Sequence, residues 1–117
     1  MKIDWKTIGI FAFVTFFVWG MSVALTYNHE LIHQAIGKEY NVDSTITLHT
    51  LGMGGYTKYN DTEWQMLTLE QQESMRNYNI VTEEIDYRLI PFEIFLVGMF
   101  MGITLLNRGG SKENKKE

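Results

Sequence analysis

"TIGIFAFVTFFVWGMSVALTYNHELIHQAIG", residues 7–37, is the stretch that decides how this chain folds. From Thr7 to Tyr27 no residue is charged, and a helix of about 20 apolar residues spans the hydrocarbon of a bilayer. At about 1.5 Å of rise per residue that thickness is used up near Asn28. The histidines and glutamate that follow therefore fall at the outer membrane edge, where polar groups are costly unless they are used. Gly37 is the first helix breaker after them, which sets helix one from about Trp5 to Ile36.

A second apolar run, Leu89 to Leu106, contains a single charge, Glu93. The expected fold is mainly α and integral to the membrane, with two transmembrane helices at about 7–36 and 69–107 and a short β-hairpin between them. Residues 1–107 make one membrane domain; residues 108–117, glycine-rich and then charged, form a disordered tail. Between the spans, Val42 to Leu48 alternates β-branched and polar residues as a strand does. "GMGGY" supplies turn glycines and "YTKYN" returns as a second strand. Asp61 to Gln65 has the look of a helix start, and Thr68 with Gln71 three residues later is a capping pair. Pro91 should kink the second span. Gly98 and Gly102 form a G-x-x-x-G that lets a helix approach closely, either helix one or another copy.

Lys2 and Lys6 precede the first span, and Arg108, Lys112, Lys115 and Lys116 follow the second. The excess of basic residues at both ends puts both termini in the cytoplasm and residues 28–88 outside. Ser22-Val23-Ala24 resembles a signal cleavage site after Ala24, but the apolar core is longer than a signal core, which favours an uncleaved anchor. The chain has no cysteine, so disulfides, cysteine zinc sites and a thiol nucleophile are excluded. A net charge of -4 without a basic stripe excludes a nucleic-acid role.

His29-Glu30-Leu31-Ile32-His33 is H-E-x-x-H. On a helix, residues four apart share a face, so the two imidazoles can hold one Zn²⁺ while Glu30 stands beside it to take a proton from water. A catalytic zinc takes three protein ligands, and the third is open among Glu83, Glu84, Asp86 and His49. Helical arithmetic puts Asn79, Glu83, Asp86 and Glu93 on one face of helix two and turns Glu84 and Arg88 away. Glu83 lies at a depth comparable to the histidines and is the preferred ligand; Asp86, one turn on, would orient an imidazole by accepting its other N–H. Glu93 lies deeper and is expected as a neutral carboxyl bonded to helix one. His49, Tyr56 and Tyr87 are candidates to steady an oxyanion.

With these features together the chain resembles an integral-membrane zincin metalloprotease of the site-2-protease-like kind, most closely over Ser22 to Gly55. That resemblance implies that a strand followed by a double glycine, here "STITLHTLGMGGYT", pairs with extended substrate beside Ser44 to Leu48. The Asp-Gly pair of that family's later helix is missing. "TEEIDYRLIP", residues 82–91, is more similar to the glutamate zincins, in which a glutamate is the third ligand with an acid or tyrosine one turn on. This pattern picks Glu83, with Asp86 or Tyr87 beside it. The implied activity is zinc-dependent hydrolysis of a peptide bond near the membrane surface, with Glu30 as general base. The rival is a non-catalytic two-span accessory subunit with a structural or vestigial metal site; a metal carrier would have no need of Glu30. The small size favours a homo-oligomer or a larger membrane complex.

Overall fold

The computed structural model describes residues 4–52 and 54–110. In chain order it has helix α1 (Trp5–Glu39), strand β1 (Ser44–Leu48), a 3₁₀ turn (Thr50–Gly52), strand β2 (Gly55–Tyr59), short helix α2 (Asp61–Met66) and helix α3 (Leu69–Gly110). The two strands pair antiparallel, with Ser44 opposite Tyr59 and Leu48 opposite Gly55. The chain divides into two units, one of residues 22–90, the other of the segments before and after it.

In the 22–90 unit the local signals are specific. Asn60 caps α2 by accepting from the backbone N–H groups of Thr62 and Glu63. Thr68 and Gln71 exchange hydrogen bonds at the start of α3, Gln71 Oε1 accepting from Thr68 N at 3.0 Å and Thr68 Oγ1 from Gln71 N at 3.2 Å; this is the capping box of the sequence. Ser44 and Ile46 of β1 and Gly55, Thr57 and Tyr59 of β2 sit on the more covered face, their neighbours on the exposed one, as the two-residue period of a strand requires. Among the described residues, Val42 and Met75 are the fully buried apolar side chains.

Gly37 is not the stop signal of α1. It lies buried within the helix, and a Cβ there would come 2.8 Å from the Tyr59 ring and 2.8 Å from the Val42 carbonyl oxygen. It is a glycine because β2 packs against it. The turn beyond the helix is made by Asn41 at φ 57, with Val42 N donating to Gly37 O at 2.9 Å, a left-handed residue closing a 6→1 bond. Three residues are thereby added to α1, and Val42 becomes core rather than strand. At the hairpin tip Leu51, Gly52 and Gly54 all have positive φ; Met53 of the expected turn lies outside the described residues. Gly52 rests on Val23 of α1, where a Cβ would come 2.8 Å from both Val23 methyl carbons.

The other unit holds residues 4–21 of the α1 end and residues from 91 on of α3. Asp4 caps α1, Oδ1 accepting from Thr7 N at 2.6 Å, and this bond holds its carboxyl below the ordinary range. Both long helices are long and apolar enough to cross a membrane, and none of the most apolar stretch of either is buried. Phe11 is 75% exposed. A Cβ on Gly98 would come 3.4 Å from Val18, whereas one on Gly102 would meet nothing within 4 Å. Glu93 is exposed and, among the described residues, bonds to nothing on helix one, so the bond expected there is not formed. Helix α3 continues to Gly110, so residues 108–110 of the expected disordered tail are helical; residues 111–117 lie outside the described residues.

Candidate metal centre

A four-residue step along one helix brings two histidines together. His29 and His33 stand one turn apart on α1, ring centroids 4.6 Å apart and planes at 88°, with Nε2 atoms 3.0 Å from each other. From α3, Glu83 Oε1 reaches both, 3.1 Å from His33 Nε2 and 3.4 Å from His29 Nε2. These three donor atoms lie within 4.8 Å of one another, the group among the described residues that can hold a metal ion.

The opposite ring nitrogens fix what the inner ones are. His29 Nδ1 lies 2.6 Å from Asp86 Oδ2, and His33 Nδ1 lies 2.5 Å from Asn79 Oδ1. A carboxylate only accepts. The Asn79 amide is likewise oriented, because its Nδ2 donates to Met75 O at 3.0 Å and its Oδ1 accepts from the Tyr59 hydroxyl at 2.8 Å. Both Nδ1 atoms must therefore carry the proton, and in neutral rings both Nε2 atoms are bare acceptors. Two nitrogen lone pairs and a carboxylate oxygen converge with nothing of their own to share. One added proton would bridge a single pair of them and leave the third opposed, whereas a cation satisfies all three.

The spacing suits zinc. Bonds of about 2.0–2.1 Å at tetrahedral angles hold ligand atoms roughly 3.3 Å apart, against the observed 3.0, 3.1 and 3.4 Å. Two imidazoles and a carboxylate are a common zinc donor set, and a histidine that ligates through one nitrogen and donates the other to a carboxylate is the usual supporting arrangement. Three protein ligands would leave a coordination position open, and the Glu83 side chain is 52% exposed.

Glu30 is buried at 4% exposure and His33 at 6%. The Thr57 hydroxyl on β2 holds Glu30, 2.6 Å from Oε2 and 3.1 Å from its backbone carbonyl, donating to one at a time. Tyr59, two residues on and so on the same strand face, lies with its hydroxyl 2.8 Å from the His33 carbonyl oxygen and 2.8 Å from Asn79 Oδ1. Burial first, and then the Glu30 charge, push the Tyr59 phenol above its ordinary value, so it keeps its proton for donation.

The remaining sequence candidates are not part of the group. Glu84 points away and pairs with Arg88 at 3.2 Å. His49 is exposed at the hairpin tip, its ring 6.0 Å from that of Tyr56; the tip rests on Val23, six residues before His29, which keeps this imidazole out of the cluster. Tyr87 is exposed, and Asp86, one turn from Glu83, bonds the outward nitrogen of His29 instead of joining the Nε2 cluster. Sequence reading assigned nothing to Thr57 or Tyr59 and gave Asn79 only a face. The available signal was the i, i+2 spacing of Thr57 and Tyr59 on a strand, which turns both toward whatever that strand covers. No protein-family model, no curated protein and no solved structure matches the chain.

Proposed function

We propose that the chain is a small zinc-dependent membrane metallopeptidase, similar in its site to the integral-membrane zincins, with His29, His33 and Glu83 as metal ligands and Glu30 as general base. The observation that carries this reading is the convergence of two imidazole Nε2 atoms and a carboxylate oxygen, with the outward ring nitrogens already engaged. A zinc ion bound there supplies Lewis acidity and activates water toward attack at neutral pH. Glu30 accepts the proton of the attacking water as its oxygen bonds to the peptide carbonyl carbon, then delivers that proton to the amine as the C–N bond breaks. Thr57 keeps the Glu30 carboxylate in one orientation through this transfer, and Asp86 and Asn79 hold the two imidazoles in the ligating tautomer.

An open coordination position favours catalysis over a structural site, which normally closes with four protein ligands. The exposed aromatic and aliphatic surface of both long helices supports a bilayer as the solvent for residues 7–27 and 89–106. Both termini then face the cytoplasm by the placement of lysine and arginine. The hairpin tip lies on Val23, which is about 9 Å along α1 from His29 toward the apolar segment. Leu51 is exposed at that tip, suiting it to the lipid interface. The substrate is accordingly an extended peptide presented at the membrane surface and paired with an edge of the hairpin. A homo-oligomer or a larger membrane complex would complete the enclosure that two spans provide only in part.

The test is metal analysis and peptide hydrolysis on the detergent-purified full chain. Wild type should carry one zinc per chain and cleave; Glu30→Gln should keep the zinc and lose cleavage by a factor of about 10² or more. Absence of stoichiometric metal defeats the reading at its first step. Unchanged cleavage in Glu30→Gln removes the general base, and bound zinc without cleavage in wild type favours the accessory-subunit reading.

A further inference from the structure

A cleft of about 550 Å³ opens between β2, α2 and α3, walled by Thr57, Tyr59, Trp64, Arg76, Asn79 and Glu83, a size in the range of ligand sites. Four of its residues belong to the candidate centre: Glu83 is the proposed ligand, Asn79 orients His33, Thr57 holds Glu30, and Tyr59 bonds the His33 carbonyl and Asn79. The cleft is therefore continuous with the place where chemistry would occur.

Its β2 wall can accept a strand. The closing bonds His49 N to Gly54 O and Asn60 N to Asp43 O fix the ladder, and in an antiparallel pair the hydrogen-bonded positions alternate. Counted from those bonds, Thr45 and Thr47 pair with Lys58 and Tyr56. Thr57 and Tyr59 therefore turn their backbone N–H and C=O away from β1, to the outer edge of β2. On β1 the corresponding outer acceptor, the Ser44 carbonyl, already accepts from Gln34 Nε2 at 3.3 Å. The edge open beside the candidate centre is that of β2.

Charge then selects what lies along it. Glu83 is engaged with His29 and His33, and Glu84 with Arg88. The remaining charged wall is Lys58 and Arg76 against Asp61, one cation in excess. Arg76 makes no ion pair or hydrogen bond among the described residues. A guanidinium on a cleft wall with its fork unengaged suits a carboxylate. Arg76 stands seven residues before Glu83 on the same helix, two turns or roughly 10 Å. An extended peptide covers that distance in about three residues at ~3.3 Å each. The direction is toward the polar end of α3, away from its apolar run.

We infer that the cleft binds an extended peptide along β2 and that Arg76 reads an acidic side chain, or a terminal carboxylate, about three residues from the scissile bond on the side away from the membrane. This rests on the hydrolase reading and adds the substrate class to it: membrane-proximal segments followed by an acidic residue on the aqueous side.

The experiment is digestion of a random-sequence decapeptide library by the zinc-loaded full chain in detergent, with cut sites read by mass spectrometry. Wild type should show Asp and Glu enriched roughly fivefold at one position about three residues from the cut. Arg76→Gln should abolish the enrichment, and Arg76→Glu should replace it with Lys and Arg, both variants retaining one zinc per chain and cleaving the library overall. Cuts without acidic preference in wild type, or a preference that survives Arg76→Glu, overturn the role of Arg76 while leaving the hydrolase intact. No cuts at all from zinc-loaded wild type remove the hydrolase reading and this one with it.

Discussion

Helix α1 is one continuous element, yet its two halves obey different rules. In residues 5–21 large apolar side chains such as Phe11, Phe13 and Phe16 are exposed, and Gly9 and Gly20 have open space where a side chain would go. In residues 22–39 the buried positions are Glu30, His33 and Gly37. The first half has hydrophobicity without a core, and the second lines a core with α1 side chains that are ionisable. Hydrophobicity chooses the solvent of the first half. In the second, position is set by polar atoms that need one another: Thr57 for Glu30, Asn79 for His33, Asp86 for His29. A buried carboxylate and imidazole without partners would be unfavourable by several kcal/mol, so enclosure there is evidence of purpose in a way that an apolar helix is not.

The contrast can be broken most easily at a ligand. His33→Ala should lower zinc affinity by at least about 100-fold, roughly 2.7 kcal/mol, in a chelator competition, while His49→Ala leaves it unchanged; equal losses from both would mean that the hairpin-tip imidazole matters as much as the enclosed one. Next in size is Gly37→Ala. Its methyl would meet the Tyr59 ring and the Val42 carbonyl oxygen at 2.8 Å, and overpacking against backbone costs about 1–3 kcal/mol, read as a lower unfolding midpoint in detergent. A neutral result would show that β2 does not pack tightly on α1. Asp86→Asn should weaken zinc binding about tenfold, near 1.4 kcal/mol, with the zinc-to-protein ratio preserved at saturating metal; unaltered affinity would make Asp86 a bystander. Smallest is Gly20→Ala, which meets nothing within 4 Å and should be neutral or stabilising by about 0.5–1 kcal/mol through helix propensity. A marked loss of stability there would mean that the apolar half has a partner pressed against it.

Much of this arrangement was legible in the residues because it depends on spacing along single elements. The four-residue step from His29 to His33, the capping pair Thr68 and Gln71, and the common face of Asn79, Glu83 and Asp86 are properties of a helix and need no tertiary information. What could not be read depends on how elements meet. Gly37 carries the same glycine signal whether it ends a helix or admits a neighbouring ring, and only the position of Tyr59 separates the two. Val42 reads as strand by its β-branch, but Asn41 turns the chain so that it falls into the core. The parts of Thr57 and Tyr59 rest on the register of β2 over α1, which no local periodicity specifies. Glu93 was misjudged because its apolar neighbours suggested a packed interface, and none forms around it among the described residues.

The single hydroxyl of Tyr59 touches the His33 backbone on α1 and the Asn79 amide on α3 from a residue on β2. A growing polypeptide offers the two histidines early, but their third donor and both ring supports lie at Asn79, Glu83 and Asp86, past the hairpin. A site built from these groups would close only once the chain has passed Asp86, well beyond the hairpin, and a product truncated before α3 would offer a metal only its paired imidazoles.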